Sequence, residues 1–343
     1  MLKFLTFAVK TQLNVHDLNN EAVAGNVTDI RIMEFLDEEG RRQEAPAVSG
    51  RMLKHWHYEG MKHLIVNGSY SSVQLCAGCK AGEPIRPSEV RNGNLTQVAK
   101  PERDAITACA VCDIHGYLIA REAEGEQERG TSARRISRAM FSWLMPALNE
   151  INPALEMGPT SKQVIHNRVS SDPSVMMPFN KSYASGIYAF VSALDVDRIS
   201  LVELNLGTTN AYAVDDNNGR KDRIKVAIEA YRYMISGQIG ASLSHAVPHG
   251  NPLEILVAYS ETGPLPFPVS PMYSDYIPKT VGLVPQNTTL LYWGTGSPDG
   301  FTEEIKTNKE DAKKEEKEDK TLNRKVKTTT IDDIFTELLS KVG

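Results

Sequence analysis

The spacing of apolar residues predicts a strand at the start of the chain. Between residues 3 and 15, apolar and polar side chains alternate, as in a strand with one buried face. The apolar face holds Leu5, Phe7, Val9, Leu13 and Val15, and the polar face holds Lys10, Gln12 and Asn14. A second strand is predicted from Ile30 to Leu36.

A helix is predicted after Ser49, because the apolar residues then recur at the helical period. Its apolar stripe consists of Leu53, Trp56, Gly60, Met61 and Leu64, and its polar side of Arg51, Lys54, His55, Tyr58 and Lys62. A helix N-terminus presents unpaired N–H groups and a partial positive charge, so Ser49, Gly50, Arg51 and Lys54 suit a phosphate. The alternative is the solvated basic face of an ordinary amphipathic helix.

The rest of the chain contains segments with the alternating period of a strand and segments with the helical period. Residues 132–148 are predicted as a second amphipathic helix, with Ile136, Met140, Trp143 and Ala147 inward and Arg134 and Arg138 outward. Residues 215–235 are predicted as a further helix. Strands are predicted over 112–120, 183–204 and 244–260, a loop-rich insertion over 68–100, a protruding hairpin within 149–180 and an irregular Pro-rich segment over 264–278. This order favours a ferredoxin-like α+β sheet with insertions.

Charge disfavours indiscriminate nucleic-acid binding but leaves local binding open. The 343 residues include 43 acidic and 38 basic side chains, a net charge of −5, whereas nucleic-acid-binding domains usually carry a basic surplus. Basic residues nonetheless cluster. Two further patches contain Arg134, Arg135 and Arg138, and His166, Asn167 and Arg168. Each patch alone is also compatible with a solvated surface.

No apolar run is long enough for a membrane span, and the N-terminus alternates like a strand and not like a signal peptide. A cytoplasmic location without membrane contact is therefore expected.

All four cysteines occur in two C-x-x-C pairs, Cys76 with Cys79 and Cys109 with Cys112. Two such pairs can supply the four thiolates of a structural zinc site. Two buried free pairs, or disulfides, are the alternatives. We expect zinc, since a loop-rich lobe with little core gains most from a metal.

An enzymatic reading also has a sequence basis. His57-Tyr58-Glu59 followed by Cys76 and Cys79 is loosely similar to the H-x-E…P-C-x-x-C pattern of zinc nucleobase deaminases. Leu75 stands where that pattern has proline, and His57 lies on the apolar stripe of its helix, where a core histidine is the ordinary explanation.

The C-terminus is predicted to be a tethered helix. Residues 302–327 are almost wholly charged and are expected to be a flexible linker. Residues 328–343 follow with a capping pair, Thr330 and Asp333, and an apolar stripe. The stripe consists of Ile331, Ile334, Phe335, Leu338, Leu339 and Val342. Because so short a helix needs a surface, we expect it to dock on a neighbouring subunit, with docking on its own chain as the alternative.

Four segments closely resemble a known family. LNNEAVAGNVTDIR, PAVSGRMLKHWHYEGM, RRISRAMFSW and IHNRV…MPFNKSYASGIYAF occur, in this order, in a form similar to the Cas-seven family. These are the backbone subunits of type I CRISPR Cascade, and the likeness is to the archaeal type I-A (Csa-two, DevR-like autoregulator) branch. It extends over roughly residues 1–260. The paired cysteines are not a feature of the whole family, so the metal rests on their spacing alone, and the charged tail lies beyond the family core.

The resemblance implies an RRM-like palm over residues 1–301 with a finger-like insertion and a thumb-like hairpin. It implies a non-catalytic subunit that polymerises with other copies of itself along CRISPR RNA, beside other Cascade subunits, and presents the guide for pairing with target DNA. Guide holding is expected to depend on backbone and shape. The competing class is an enzyme, either a deaminase or an RNA-cleaving relative of the type III complexes. By position, the RNA side contains Gly25, Asn26, Thr28, Arg31, Ser49, Gly50, Arg51, Lys54, His55, Arg134, Arg135, Arg138, His166, Asn167 and Arg168.

Overall fold

The computed structural model describes residues 1–16, 20–24, 27–120, 132–148, 150–156, 161–167, 177–217, 219–235, 247–294 and 326–343. Residues 20–24, 27–28, 120, 132, 161–167, 177–180 and 326–328 are described through their backbone alone. All statements below refer to these residues.

One large sheet contains ten of the strands. They are β1 (Phe4–His16), β2 (Asn20–Ala24), β3 (Val27–Ile30), β10 (Ala139–Phe141), β11 (Met145–Pro146), β12 (Ser161–Asn167), β13 (Met177–Asp195), β14 (His249–Ser260), β15 (Thr289–Gly294) and β16 (Val326–Thr328). The other six form three separate hairpins, β4 (Ile32–Leu36) with β5 (Arg42–Pro46), β6 (Ser88–Arg91) with β7 (Asn94–Gln97), and β8 (Tyr117–Ala120) with β9 (Ser132–Arg135).

Eight α-helices lie within the described residues. They are α1 (Gly50–Val66), α2 (Ala77–Ala81), α3 (Glu102–Ala108), α4 (Ala110–His115), α5 (Pro153–Glu156), α6 (Arg220–Ile235), α7 (Tyr276–Leu283) and α8 (Ile331–Ser340). None of them is long and apolar enough to cross a membrane.

The centre of the sheet is antiparallel, with β1 between β13 and β14 and with β10 on the far side of β13. Phe7 of β1 lies opposite Ser192 of β13 and Val257 of β14. Along the chain these elements occur as β1, α1, β10, β13, α6 and β14. The fold is therefore mixed helix and sheet, as the sequence predicted, and α1 is the first helix after the central strand β1.

Both faces of the central sheet are covered, which the half-buried prediction for residues 3–15 did not include. Helices α1, α6 and α8 cover one face, where Phe7 stacks on Tyr231 with ring centroids 4.3 Å apart. The segment 265–284 with α7 covers the other face, where Leu265 and Tyr276 pack. Lys10, predicted on the exposed face, is consequently buried and lies 3.3 Å from a carboxylate oxygen of Glu150 and of Glu254.

The predicted second amphipathic helix over 132–148 is wrong. The segment forms β9, β10 and β11, joined by short turns. Arg138 lies inside the protein and Ile136 is 66% exposed, the reverse of the predicted faces. The cause is long-range pairing: β9 pairs with β8, and β10 and β11 pair with β13, so sheet hydrogen bonds replace helical ones.

The predicted strand over 112–120 is half correct. Its second half is β8, but its first half belongs to α4, which Gly116 ends with a φ of 70°. Cys109 caps this helix, since its sulfur accepts a hydrogen bond from the Cys112 N–H at 3.3 Å. The C-x-x-C spacing thus allows Cys109 to cap the helix and also brings the sulfurs of Cys109 and Cys112 close together.

Other predicted elements are confirmed. The helix within 215–235 is α6, and its predicted stripe of Ile224, Ala227, Ile228, Tyr231 and Ile235 is buried. The strands within 183–204 and 244–260 are β13 and β14, and β12 pairs with β13 as a hairpin within 149–180. Val15, predicted on the apolar face of β1, is exposed at a φ of 54° where β1 loses its regular pairing.

The C-terminal helix docks on its own chain, which corrects the expected docking on a neighbour. Phe335 is fully buried, 6.3 Å from the Phe7 ring and 4.7 Å from the Arg232 guanidinium. Arg232 also bonds Asp332 at 2.6 Å. The Thr330 cap is as predicted, with its hydroxyl accepting from the Asp333 N–H. Most of the predicted linker lies outside the described residues, and residues 326–327 belong to β16.

We expect Leu338→Ala to lower the free energy of unfolding of the monomer by about 2 kcal/mol, near the lower end for a buried leucine because a terminal helix can readjust. Leu338 is fully buried, whereas Thr336 on the same helix is exposed. Urea denaturation at low protein concentration measures the effect, with Thr336→Ala as the control. Equal stability of the two variants would contradict docking on the same chain.

Candidate nucleic-acid interface

The N-terminus of α1 is open to an anion. Ser49 caps the helix by accepting a hydrogen bond from the Met52 N–H at 3.3 Å, and the first turn has no acidic residue. Gly50 is required for packing, because a Cβ there would lie 2.6 Å from the Phe141 carbonyl oxygen of β10. The helix start is thus fixed against β10.

A groove of about 640 Å³ lies in front of this helix start, and we call it the outer groove. Its walls include Arg31, Ser49, Gly50, Arg51, Lys54, Ser137 and Trp143. The Arg31 guanidinium lies 5.6 Å from the centroid of the Trp143 ring. The groove therefore combines cations, a helix N-terminus and an aromatic side chain.

A second cavity of about 500 Å³, the inner pocket, shares Arg51, Lys54 and Ser137 with the outer groove, so the two are neighbours. Its other walls include Tyr58, Arg86, His115, Gly116 and Tyr117. Burial, and next the positive charge of Arg86, lower the pKa of Lys54 to about 8. Cations held this close together favour an anionic occupant.

Tyr58 connects the inner pocket to the cysteines. Its ring lies 5.5 Å from the Arg86 guanidinium and 5.7 Å from the Lys62 ammonium group. Its hydroxyl donates to the Cys79 carbonyl oxygen at 2.6 Å. Burial raises the pKa of Tyr58 above its usual value, so the phenol stays a donor.

His57, the histidine of the deaminase-like pattern, is a core residue. Its Nε2 lies 2.8 Å from the Ala227 carbonyl oxygen, and its Nδ1 lies 2.9 Å from Nε2 of His115. Burial lowers the pKa of His57 to about 4. Both ring nitrogens are thus engaged within the protein.

The four cysteines come together. Their sulfur atoms all lie within 4.8 Å of one another, and those of Cys76 and Cys112 are 3.8 Å apart. Thiolates around zinc lie about 2.3 Å from the metal, which places tetrahedral sulfurs just under about 4 Å apart. Among the described residues, this group includes no histidine. It can hold a metal ion, and it is not the histidine–cysteine ligand set of a deaminase.

The cysteine group joins the insertion to α4. Cys76 and Cys79 flank the start of α2, and the Ser88 hydroxyl accepts from the Gly78 N–H at 2.7 Å and lies 3.4 Å from the Cys76 sulfur. Cys112 belongs to α4, which ends at His115. The group therefore lies where two elements that line the inner pocket meet, the insertion with Arg86 and α4 with His115.

Two of the arginines assigned to the RNA side are buried in ion pairs. Arg135 has a fully buried side chain that bonds Asp113 at 2.6 Å and Glu102 at 2.7 Å. Arg138 is 2% exposed and pairs with Glu203. Their guanidinium groups are thus committed to carboxylates of the same chain, whereas Arg134 is exposed on β9. The predicted outward face for Arg138 is wrong for this reason.

The remaining predicted site residues divide into three groups. Arg31, Ser49, Gly50, Arg51, Lys54 and His55 all line the outer groove or the inner pocket. Thr28, His166 and Asn167 lie on β3 and β12, where the backbone alone is described. Gly25, Asn26 and Arg168 lie outside the described residues.

Sequence reasoning missed Arg86, His115, Tyr117 and Trp143 as walls of the groove and pocket. Arg86 lies in a stretch without periodicity, and Trp143 was assigned to the core side of a helix. The one available signal was the pairing of Cys76 and Cys79 with Cys109 and Cys112, which brings the flanking residues Arg86 and His115 together.

Comparison with known proteins decides the family. A sequence model described as "CRISPR-associated negative auto-regulator DevR/Csa2" matches residues 7–281, well over half of the chain. The chain belongs to the DevR/Csa2 family. This confirms the resemblance to the Csa-two, DevR-like family found in the sequence.

Relatives in this family are similar over most of their length. A "CRISPR-associated protein Cas7/Cst2/DevR" of Methanocaldococcus jannaschii is 28% identical over 296 residues, which cover 80% of this chain and 86% of the relative. A protein of the same description from Thermoproteus tenax is 27% identical over 71% of each chain. The "CRISPR-associated aCascade subunit Cas7/Csa2 2" of Saccharolobus solfataricus is 24% identical over 80% of this chain and 84% of its own.

A solved structure shares the fold. A chain of a "CRISPR RNA-guided surveillance complex, pre-nicking" superposes with a TM-score of 0.51 at 10% identity, and the match covers 99% of this chain and 100% of the other. At this identity the likeness concerns the mixed helix-and-sheet fold alone.

Proposed function

We propose that this protein is a non-catalytic backbone subunit of a type I-A CRISPR Cascade complex and that it holds the guide RNA along the outer groove. The proposal rests on membership of the DevR/Csa2 family and on a relative whose name includes "aCascade subunit". The observation that carries the RNA assignment is the capped, acid-free N-terminus of α1 beside Arg31, Arg51 and Lys54.

The proposed palm is RRM-like and comprises residues 1–301. The spatial order β14, β1, β13, β10 supports it, together with the chain order strand, helix, strand, strand, helix, strand. That combination is expected for a ferredoxin-like sheet. We assign residues 68–100 to the finger-like insertion and residues 149–180, which contain β12, to the thumb-like hairpin.

RNA is proposed to enter beside the sheet and not across it. The sheet face opposite α1 and α6 is covered by residues 265–284, so it offers no platform for stacked bases. The outer groove offers backbone N–H groups and cations, which bind phosphates of any sequence. Sequence-independent contacts suit a subunit that must accept every guide.

The proposed RNA contacts are Arg31, Ser49, Gly50, Arg51, Lys54, His55 and Arg134, with Gly25, Asn26, Thr28, His166, Asn167 and Arg168 kept as proposals from the resemblance. Arg135 and Arg138 are reassigned, since their buried ion pairs suit a structural role. Successive copies of the subunit, other Cascade subunits and target DNA paired to the guide are the proposed partners. A cytoplasmic location is proposed with them.

We also propose structural zinc at Cys76, Cys79, Cys109 and Cys112. The supporting observation is the spacing of the four sulfurs, which fits tetrahedral thiolate coordination. With zinc bound, these four thiolates would hold the insertion against α4. The metal is proposed to have no role in a reaction.

Purified protein mixed with labelled RNA tests the function as a whole. Binding to RNAs of unrelated sequence, without any product, supports a guide-holding subunit. Metal-dependent cleavage or base conversion would instead support the enzymatic alternative. Sequencing of nucleic acid that copurifies from the native host tests the CRISPR RNA assignment.

Arg51→Ala and Lys54→Ala are expected to weaken RNA binding about equally for all RNA sequences. Each lost phosphate contact should lower the salt dependence by roughly one counterion. Fluorescence anisotropy across a salt series measures both quantities, with Lys279→Ala on α7, at the opposite sheet face, as the control. A loss limited to certain sequences would indicate base recognition.

The low pKa of Lys54 adds a pH signature to this prediction. A phosphate stabilises the charged ammonium form, so binding takes up a proton above pH 8, and affinity should fall as the pH rises through about 8. Lys54→Arg keeps the charge throughout this range, so the fall should disappear in that variant. The same fall in both proteins would assign the titration to another group.

A further inference from the structure

One residue that lines the inner pocket has a polar atom that the proposed phosphate contacts do not explain. His115 is 3% exposed and is one of the residues lining the pocket. Its Nδ1 has no hydrogen-bond partner among the described residues. A buried polar atom without a hydrogen-bond partner costs desolvation free energy. A ligand group that bonds this atom would therefore gain binding free energy.

The neighbouring hydrogen bonds determine what kind of group that is. The Ala227 carbonyl can only accept, so Nε2 of His57 carries a proton. In neutral His57, Nδ1 is then an acceptor, so Nε2 of His115, 2.9 Å away, must be the donor. Nδ1 of His115 is left with a lone pair, which the ring directs away from His57.

Both histidines are neutral in this arrangement. Burial lowers the pKa of His57 to about 4. Burial is the largest cause that lowers the pKa of His115 well below its usual value. The pocket therefore presents a neutral acceptor close to the cations of Arg51, Lys54 and Arg86.

A group that suits this pocket donates a hydrogen bond and lies next to a negative charge. In a polynucleotide two groups qualify, an N–H of a base and the 2′-hydroxyl of a ribose. The 2′-hydroxyl lies beside the phosphate in every ribonucleotide, whereas base N–H groups differ between bases. Since a guide-holding site must be indifferent to sequence, the sugar fits better, and the 2′-hydroxyl is also what separates RNA from DNA.

We propose that Nδ1 of His115 accepts a hydrogen bond from a ribose 2′-hydroxyl in the inner pocket, so that His115 makes the groove selective for RNA over DNA. His57 is a positioning residue, because it fixes which nitrogen of His115 bears the proton. This inference rests on the proposed function, since it names the part of the RNA that the pocket recognises.

The test compares oligonucleotides of one base sequence with 2′-hydroxyl, 2′-fluoro or 2′-deoxy sugars. The 2′-fluoro sugar keeps an RNA-like conformation but cannot donate a hydrogen bond. We expect the full-length protein to bind the 2′-hydroxyl form about ten-fold more tightly than the 2′-fluoro form, the factor typical of one hydrogen bond. Two unrelated base sequences should give the same ratio.

His115→Phe should bring this ratio close to one, and Lys54→Gln, a change in the same pocket, should weaken both forms and keep the ratio. If His115→Phe does not fold, ¹⁵N NMR of histidine-labelled parent protein replaces it. The Nδ1 resonance of His115 should then shift with the 2′-hydroxyl form and stay unchanged with the 2′-fluoro form.

Equal binding of the two forms by the parent protein, or a ratio retained in folded His115→Phe, would overturn the inference and leave the proposed function standing. If the 2′-hydroxyl form binds more tightly than the 2′-fluoro form with some base sequences only, the hydrogen bond belongs to a base. That result would also overturn the inference. Failure to bind any of the oligonucleotides would overturn the proposed function together with the inference.

Discussion

Cys109→Ser is expected to destabilise the protein more than any other single change considered for it. Cys109 is fully buried, its sulfur lies within 4.8 Å of the other three, and it caps α4. Metal-binding free energies of structural zinc sites reach about 10 kcal/mol or more, and they contribute to folding. Loss of one ligand should therefore unfold the insertion or release α4 at moderate temperature.

Elemental analysis of the purified protein should find one zinc ion per chain, and a chelator should lower the melting temperature of the parent protein. Thr107→Ser is the matched control, since Thr107 is exposed near the end of α3 and serine keeps its hydroxyl. A metal-free protein, or a Cys109→Ser variant as stable as this control, would remove the zinc assignment.

Zinc is expected to affect RNA binding as well as the thermal stability of the protein. Because the cysteine group joins the insertion to α4, chelation should separate Arg86 from His115 and weaken RNA binding even below the melting temperature. Loss of zinc without any change in RNA affinity would show that the inner pocket forms independently of the metal.

Asp113→Asn is expected to give the second-largest effect, a loss of about 3–5 kcal/mol in the free energy of unfolding. Asp113 is fully buried and its carboxylate bonds Arg135 at 2.6 Å and Arg223 at 3.1 Å. It also accepts hydrogen bonds from the N–H and hydroxyl of Ser200. Asparagine of the same size would leave two buried guanidinium groups with less compensating charge.

Urea denaturation at constant zinc measures this loss, with Asp104→Asn in the exposed first turn of α3 as the control. The control should change stability by less than about 1 kcal/mol, as expected for an exposed charge at a helix start. If both variants unfold at the same urea concentration, the carboxylate of Asp113 does not hold this network together.

This network explains why the basic run at Arg134–Arg138 was misassigned from sequence. A run of arginines is ordinarily exposed, and the carboxylates that bury these two are distant along the chain. Glu102 and Asp113 precede Arg135 by 33 and 22 residues, and Glu203 follows Arg138 by 65 residues. Burial of an arginine depends on such partners, and the residues next to it in the sequence do not indicate them.

The sequence by itself determined those features that depend on neighbouring residues. The periods of β1, α1, α6 and β14, the caps at Ser49 and Thr330, and the cysteine spacing are all local, and each is present in the structure. The family likewise followed from short segments. Local patterns suffice for these elements because their apolar residues recur at the period of the helix or strand that the tertiary structure retains.

The tertiary structure alone decided the features that depend on distant partners. It covered the second face of β1, docked α8 on Phe7 and Tyr259, buried Arg135 and Arg138, and brought Arg86 beside Tyr58 and His115. In each case the stabilising free energy of the feature comes from a contact between segments that are far apart in the chain. Such contacts depend on which surfaces meet when the sheet forms, and no single segment encodes that choice.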